Sequence, residues 1–258
     1  MQLMNLRHEL LNIAPATLET LVSTGREKEY AASAGLPGLN QGFNGIRLIV
    51  AGSIAVLANI DGGLEQVYEY GAGEALGVRA MLLPDNKPEV VWRAVSDATV
   101  IELDRDAVQN VLDRDSGELR ALFERAAHLR DLEILLAVHL LFRTLPQEER
   151  NRLFELSQPK SVAPGEKLIQ KGKMNESLYL ITHGSLDIVK DGEVVANRHT
   201  GDVLGEVSAL GFAPTADAVA SGWTEVLAFS REQVMKTCEN YPKFAAAIGS
   251  IGLTGIMG

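Results

Sequence analysis

Residues 177–192, SLYLITHGSLDIVKDG, place Leu178 and Leu180, then Leu186 and Ile188, at every second position. A period of two is the mark of half-buried strands. Asp191-Gly192 supplies a tight hairpin turn, because glycine accepts the positive φ that a primed turn demands. Glycines at 165, 172, 184, 201 and 205 punctuate this half of the chain and suit the corners of a small β-roll or barrel. The middle of the chain follows another rhythm. Leu122, Ala126, Leu129, Leu132, Leu136 and Leu140 step by threes and fours and predict one apolar stripe on a long helix. Such a stripe suits packing within the chain and also a dimer seam. Pro146 opens the next helix, QEERNRLFEL, with Thr144 in its N-cap region and an end before Pro159.

The alternating pattern occurs twice. IRLIVAGSIAVLANIDGG (46–63) matches 177–192, with two apolar runs hinged at Gly-Ser and a turn at Asp61-Gly62-Gly63. YGAGEALG (70–77) matches HTGDVLGE (199–206), and VIELDRDAVQNVL (100–112) matches VLAFSREQVMKTC (226–238). The order is conserved between the two halves, and the small drift in offset is what changes in loop length produce. Three collinear matches predict two copies of one fold, each of ordinary domain size.

Composition narrows the function. The 258 residues are 46% hydrophobic and 22% charged, the balance of a globular protein. A formal charge of −10 argues against non-specific binding to nucleic acid. The single cysteine, Cys238, excludes an intramolecular disulfide framework and fits a reducing compartment. No run is long enough to span a bilayer as a helix, and the N-terminus has no secretory leader pattern, so a cytoplasmic location is expected. His8, His128, His139, His183 and His199 have no metal-ligand spacing. Ser208 lies in GEVSALG, which is not a Gly-x-Ser-x-Gly nucleophile elbow. The expectation is a protein that is not an enzyme.

GDVLGEVSALGFAPTADAVA (201–220) carries the chemistry. With the leading Leu-Phe helix, Gly165, Gly172, LYLITHG and the Gly201-Asp202 turn, it makes residues 140–245 resemble a cyclic-nucleotide-binding domain, as in catabolite activator protein and the regulatory subunit of cAMP-dependent protein kinase. Residues 1–125 resemble it more weakly, and AASAGLPGLNQGFNGIR stands where the family's first Gly-spaced strands would be. The implied fold is mainly β with helices: two tandem jelly-roll-like β-rolls, residues 1–125 and 126–258, joined by a long helical segment.

The resemblance implies a phosphate-binding cassette of Gly205, Glu206, Val207, Ser208 and Ala209, then Pro214, Thr215, Ala216, Asp217 and Ala218. In the family a short helix and small residues bring backbone amides to a cyclic phosphate. An arginine neutralises the phosphate, and a glutamate accepts from the ribose 2′-hydroxyl. Here Glu206 falls on that glutamate, Thr215 falls on the arginine, and Asp217 follows two residues later. Losing a desolvated bidentate pair costs roughly 2–5 kcal/mol, and about 1.4 kcal/mol is tenfold in affinity. Tight cAMP binding in the family's manner is not expected. Thr215 and Asp217 suit a retuned pocket for a nucleoside, or drift in a pocket that no longer binds. In the first copy Val78 falls on the glutamate and Pro88 or Glu89 on the arginine, and Arg79 and Arg93 are the remaining cations nearby.

The expectations are therefore a regulator with no cofactor, whose ligand is a nucleotide or nucleoside. A protein partner or homodimer is expected through helices over 119–141 or 231–256. No winged helix-turn-helix follows the second copy, so no DNA is expected as partner. The alternative is a ligand-free scaffold.

Overall fold

The computed structural model describes residues 20–37, 43–60, 62–78, 90–114 and 117–257. It divides into two compact units, Met1–Val138 and His139–Gly258.

In the first unit, β1 (Arg26–Tyr30), β2 (Gly35–Leu36), β3 (Gly45–Ala51), β4 (Ile54–Ile60), β5 (Gly63–Tyr70), β6 (Ala75–Leu76), β7 (Val90–Ala94) and β8 (Ala98–Asp104) precede two helices. They form two four-stranded antiparallel sheets, ordered β1-β8-β3-β6 and β2-β7-β4-β5. Alternation sends Ile49, Val100, Val56 and Trp92 into one core, and Ile46 and Leu103 into another with Val108, Leu112, Leu119 and Phe123. The latter four come from α1 (Arg105–Arg114) and α2 (Glu118–Val138). The region 30–46 thus supplies strands on both sides of residues 38–42, which lie outside the described set, as does Asp61.

α2 is the helix foreseen from the leucine stripe, and it runs unbroken through positions 125 and 126. Ala126, Leu129, Leu132 and Leu136 are buried, whereas Leu140 lies beyond the helix and is 67% exposed. Ala126 packs inside its own unit with Phe123 and Leu103.

The second unit begins with a 3-10 turn, Phe142–Thr144, and α3 (Gln147–Leu156). Thr144 is not the cap of α3: its hydroxyl donates to the Leu141 carbonyl at 2.7 Å, and Pro146 itself occupies the N-cap. Then come β9 (Gln158–Val162), β10 (Lys167–Ile169), β11 (Ser177–His183), β12 (Ser185–Lys190), β13 (Glu193–His199), β14 (Val203–Leu204), α4 (Glu206–Ala209), β15 (Asp217–Ala220) and β16 (Thr224–Ser230). The sheets are β9-β16-β11-β14 and β10-β15-β12-β13. This is the strand order of the first unit, element for element, so the sequence repeat is a repeat of topology.

Between these sheets lie Val162, Leu168, Ile181, Leu186, Ala218 and Val226. Leu178, Leu180 and Phe229 are also buried, and the Phe229 ring meets Phe142 at 5.1 Å. Phe142 in turn contacts Phe244 at 6.0 Å. The β12–β13 turn is Asp191-Gly192, both residues at positive φ, as the dipeptide demands. α5 (Arg231–Asn240) starts from a capping box: the Ser230 hydroxyl accepts the Gln233 amide while the Gln233 side chain accepts the Ser230 amide. Pro242 then opens α6 (Pro242–Met257) at the position where its missing N–H costs nothing.

Candidate functional site

Gly205 sets the site. It caps α4 with φ +88°, and a Cβ there would overlap the Ser177 carbonyl and come within 2.7 Å of Asn175 Nδ2. Only glycine combines that backbone with that approach. The sharp turn aims the short helix α4 and its first residue, Glu206, at a cavity of about 260 Å³.

Of the cassette residues singled out in the sequence, Gly205, Glu206, Val207, Pro214, Thr215, Ala216, Asp217 and Ala218 line this cavity. Ser208 and Ala209 do not line it. Both are buried in α4, and the Ser208 hydroxyl accepts the Asn175 amide at 3.3 Å.

Glu206 is pushed above the usual carboxylate range chiefly by burial, with its own amide and the charge of Arg198 pulling the other way. Asp217 behaves oppositely. Its Oδ2 lies 2.7 Å from Lys167 Nζ and its Oδ1 accepts the Lys171 amide at 2.7 Å. The lysine hydrogen bond, and next the backbone one, hold Asp217 below the ordinary aspartate value. Its charge is thus already met by the strand frame. Thr215 also stands on the wall and brings a neutral hydroxyl to it.

Other wall residues come from elements the cassette reading did not reach. β12 and β13 contribute Lys190 and Arg198, α6 contributes Ile251, and the turn before β11 contributes Asn175. The wall therefore carries two cations, Lys190 and Arg198, against two carboxylates, Glu206 and Asp217. Asn175 Oδ1 is buried and has no hydrogen-bond partner among the described residues. Ala196 and Arg198, two apart on β13, both line the cavity, but nothing in that spacing ties the strand to the cassette.

α6 reaches the site through Gly252. A Cβ there would overlap Leu210 Cδ1 and lie 3.6 Å from Glu206 Cγ, so the bare glycine lets α6 rest on the end of α4. Among the described residues no three His, Cys, Asp or Glu side chains are grouped to hold a metal ion. None of the described helices is long and apolar enough to cross a membrane.

Among the described residues, the first unit does not repeat this arrangement. Val78, the counterpart of Glu206, is packed in the core with Leu103 and Val108. Arg93 is exposed on β7. Arg79, Pro88 and Glu89 lie outside the described residues.

Residues 159–241 match the family described as "Cyclic nucleotide-binding domain". The cAMP-dependent protein kinase regulatory subunit of Mycosarcoma maydis is 29% identical over 156 residues, covering 59% of this chain and 28% of that protein. The regulatory subunit of Eremothecium gossypii is 28% identical over 207 residues, covering 80% of this chain and 42% of that protein. This chain thus spans less than half the length of these relatives. Among solved structures, the regulatory subunit of a cAMP-independent protein kinase A from Trypanosoma brucei aligns over 96% of this chain and 88% of its own, at 19% identity and a TM-score of 0.43.

Proposed function

Since the second unit is a cyclic-nucleotide-binding domain over residues 159–241, we propose that the chain is a regulatory, non-catalytic protein whose second cavity takes an uncharged, nucleoside-type ligand. One observation carries this reading: the cavity wall holds a buried carboxyl, Glu206, beside the neutral hydroxyl of Thr215, while Asp217 is engaged by Lys167 and the Lys171 amide. The buried Asn175 Oδ1 gives a hydrogen-bond donor of the ligand somewhere to go. A volume of about 260 Å³ lies just under the usual small-molecule range of about 300–1,000 Å³. It suits one nucleoside better than a cyclic dinucleotide.

Glu206 accepts from ligand hydroxyls, Thr215 contributes a neutral hydroxyl, and Ile251 of α6 covers the ligand. Because α6 rests on α4 at Gly252, occupancy biases the pose of α6, the element we assign to the signal. The partner class is a protein kinase catalytic chain, the assembly that the relatives' name implies, with α2 and α5–α6 as the surfaces offered. The location is the cytoplasm, and no cofactor takes part.

Calorimetry and thermal shift with adenosine, guanosine, inosine, cAMP and cGMP test the reading. Stabilisation follows RT ln(1 + [L]/Kd), about 2.7 kcal/mol at a hundredfold excess over Kd. A nucleoside should stabilise the second unit, and Glu206→Ala should abolish the effect. Absence of a shift with every compound at millimolar concentration would leave the cavity a scaffold.

A further inference from the structure

Arg47 lies in the apolar run GIRLIVA of the first unit, yet its side chain is wholly buried. Alternation along β3 puts it on the face of Ile49, toward the core that holds Val100 and Trp92, and away from Ile46. It stands opposite Glu102 on β8 and Leu76 on β6, one residue before Gly77.

Part of the guanidinium is accounted for. Nε donates to Glu102 Oε1 at 2.8 Å, and the same oxygen accepts the Tyr30 hydroxyl at 2.9 Å. The second Glu102 oxygen lies 3.8 Å from Lys28 Nζ. The Phe43 ring centre is 3.9 Å from the guanidinium carbon and the Trp92 ring 5.5 Å, so its faces meet aromatic surface. The remaining edge is open in a specific way: Nη1 and Nη2 are both buried, and among the described residues neither has an acceptor.

Burying charged donors without acceptors is costly, and an apolar side chain of similar volume would avoid that cost. Lys28 and Arg47 also outnumber Glu102 by one positive charge. Two parallel donors on a planar fork match the two oxygens of a carboxylate or phosphate.

We infer that the first unit binds a small oxyanion, a phosphate or carboxylate group, on the Nη1–Nη2 edge of Arg47. The guanidinium is held by Glu102 and flanked by Phe43 and Trp92. This site is separate from the second cavity. It draws its cation from β3, not from the cassette positions where the sequence reading sought one.

Trp92 is the reporter. The chain has two tryptophans, and Trp223 is 70% exposed, so Trp223→Phe leaves the Trp92 emission alone. The full chain carrying that change is titrated with phosphate, acetate and a nucleoside monophosphate, against chloride at matched ionic strength. A saturable change with half-saturation at about 1 mM or below is expected. Response to inorganic phosphate or acetate identifies a free anion, and response only to the monophosphate identifies an anion borne on a larger molecule. Arg47→Met should remove the response. Glu102→Gln, which relieves a competing negative charge, should tighten binding at least about threefold. A Trp92 signal that follows chloride alone overturns the proposal, as does an unchanged response in folded Arg47→Met. Should Arg47→Met not fold, unchanged or weaker binding in Glu102→Gln overturns it. Because Trp92 belongs to the first unit, these outcomes are independent of nucleoside binding in the second.

Discussion

Asp217 and Lys167 are joined across the β10–β15 ladder of the second unit, carboxylate Oδ2 to ammonium at 2.7 Å, while Oδ1 takes the Lys171 amide. The aspartate at the edge of the cassette is thus a fastening of the strand frame. Removing it with Asp217→Ala should cost no more than about 1 kcal/mol, because both bonds are exposed and water replaces them, read by chemical denaturation. Asp217→Ala alone should leave cAMP affinity weak. Thr215→Arg combined with Asp217→Ala should raise cAMP affinity by about a hundredfold or more, the worth of a paired charge on phosphate.

Burial holds Glu206 above the ordinary carboxylate range, so ionising it at neutral pH works against the folded state. Its folded pKa exceeds its unfolded value. Its favourable contribution is therefore complete below the unfolded value of 4.5 and fades as pH rises through the folded one. Glu206→Gln should stabilise the empty protein near pH 7, by no more than about 1 kcal/mol, and the gain should vanish near pH 4. The same change should weaken nucleoside binding. Thermal melts across pH, with and without ligand, check both halves.

Much of this architecture is legible in the sequence because it rests on local rules. Leu178 and Leu180 fix strand period, Asp191-Gly192 fixes the hairpin, and Gly205-Glu206 fixes the start of α4. The rest depends on partners far apart in the chain. Lys167 and Asp217 are 50 residues apart, and no spacing rule joins them. Arg198 and Asn175 reach the cavity only because β13 and the turn before β11 fold beside the cassette. Thr144 looks like an N-cap by residue type, but the 3-10 turn before Pro146 uses its hydroxyl on Leu141 instead.

Gly205→Ala should be among the most damaging small changes. It would place a Cβ on the Ser177 carbonyl at a φ of +88°. A cost of about 1–3 kcal/mol is expected from the backbone alone. Hydrogen exchange should show α4 and the Asn175 turn losing protection first.

His139 gives a pH signature apart from the ligand. Burial pushes it below its usual range, while the Gly201 carbonyl and Asp202 pull upward. Its Nδ1 accepts the Leu141 amide at 3.1 Å, a contact that needs the neutral ring. The unfolded chain binds the proton more readily. The stability His139 contributes is thus present above about pH 6.5 and lost as pH falls toward the folded value. His139→Gln should flatten the stability profile between pH 7 and pH 5, measured by denaturant midpoints.

The most direct measurement is calorimetry of the full chain with guanosine and with cAMP, each repeated on Glu206→Ala. The account predicts heat and saturation with the nucleoside, lost in the variant, and binding of cAMP weaker by about a hundredfold or more. Submicromolar cAMP binding to the unaltered chain, or nucleoside binding that survives Glu206→Ala, would contradict it.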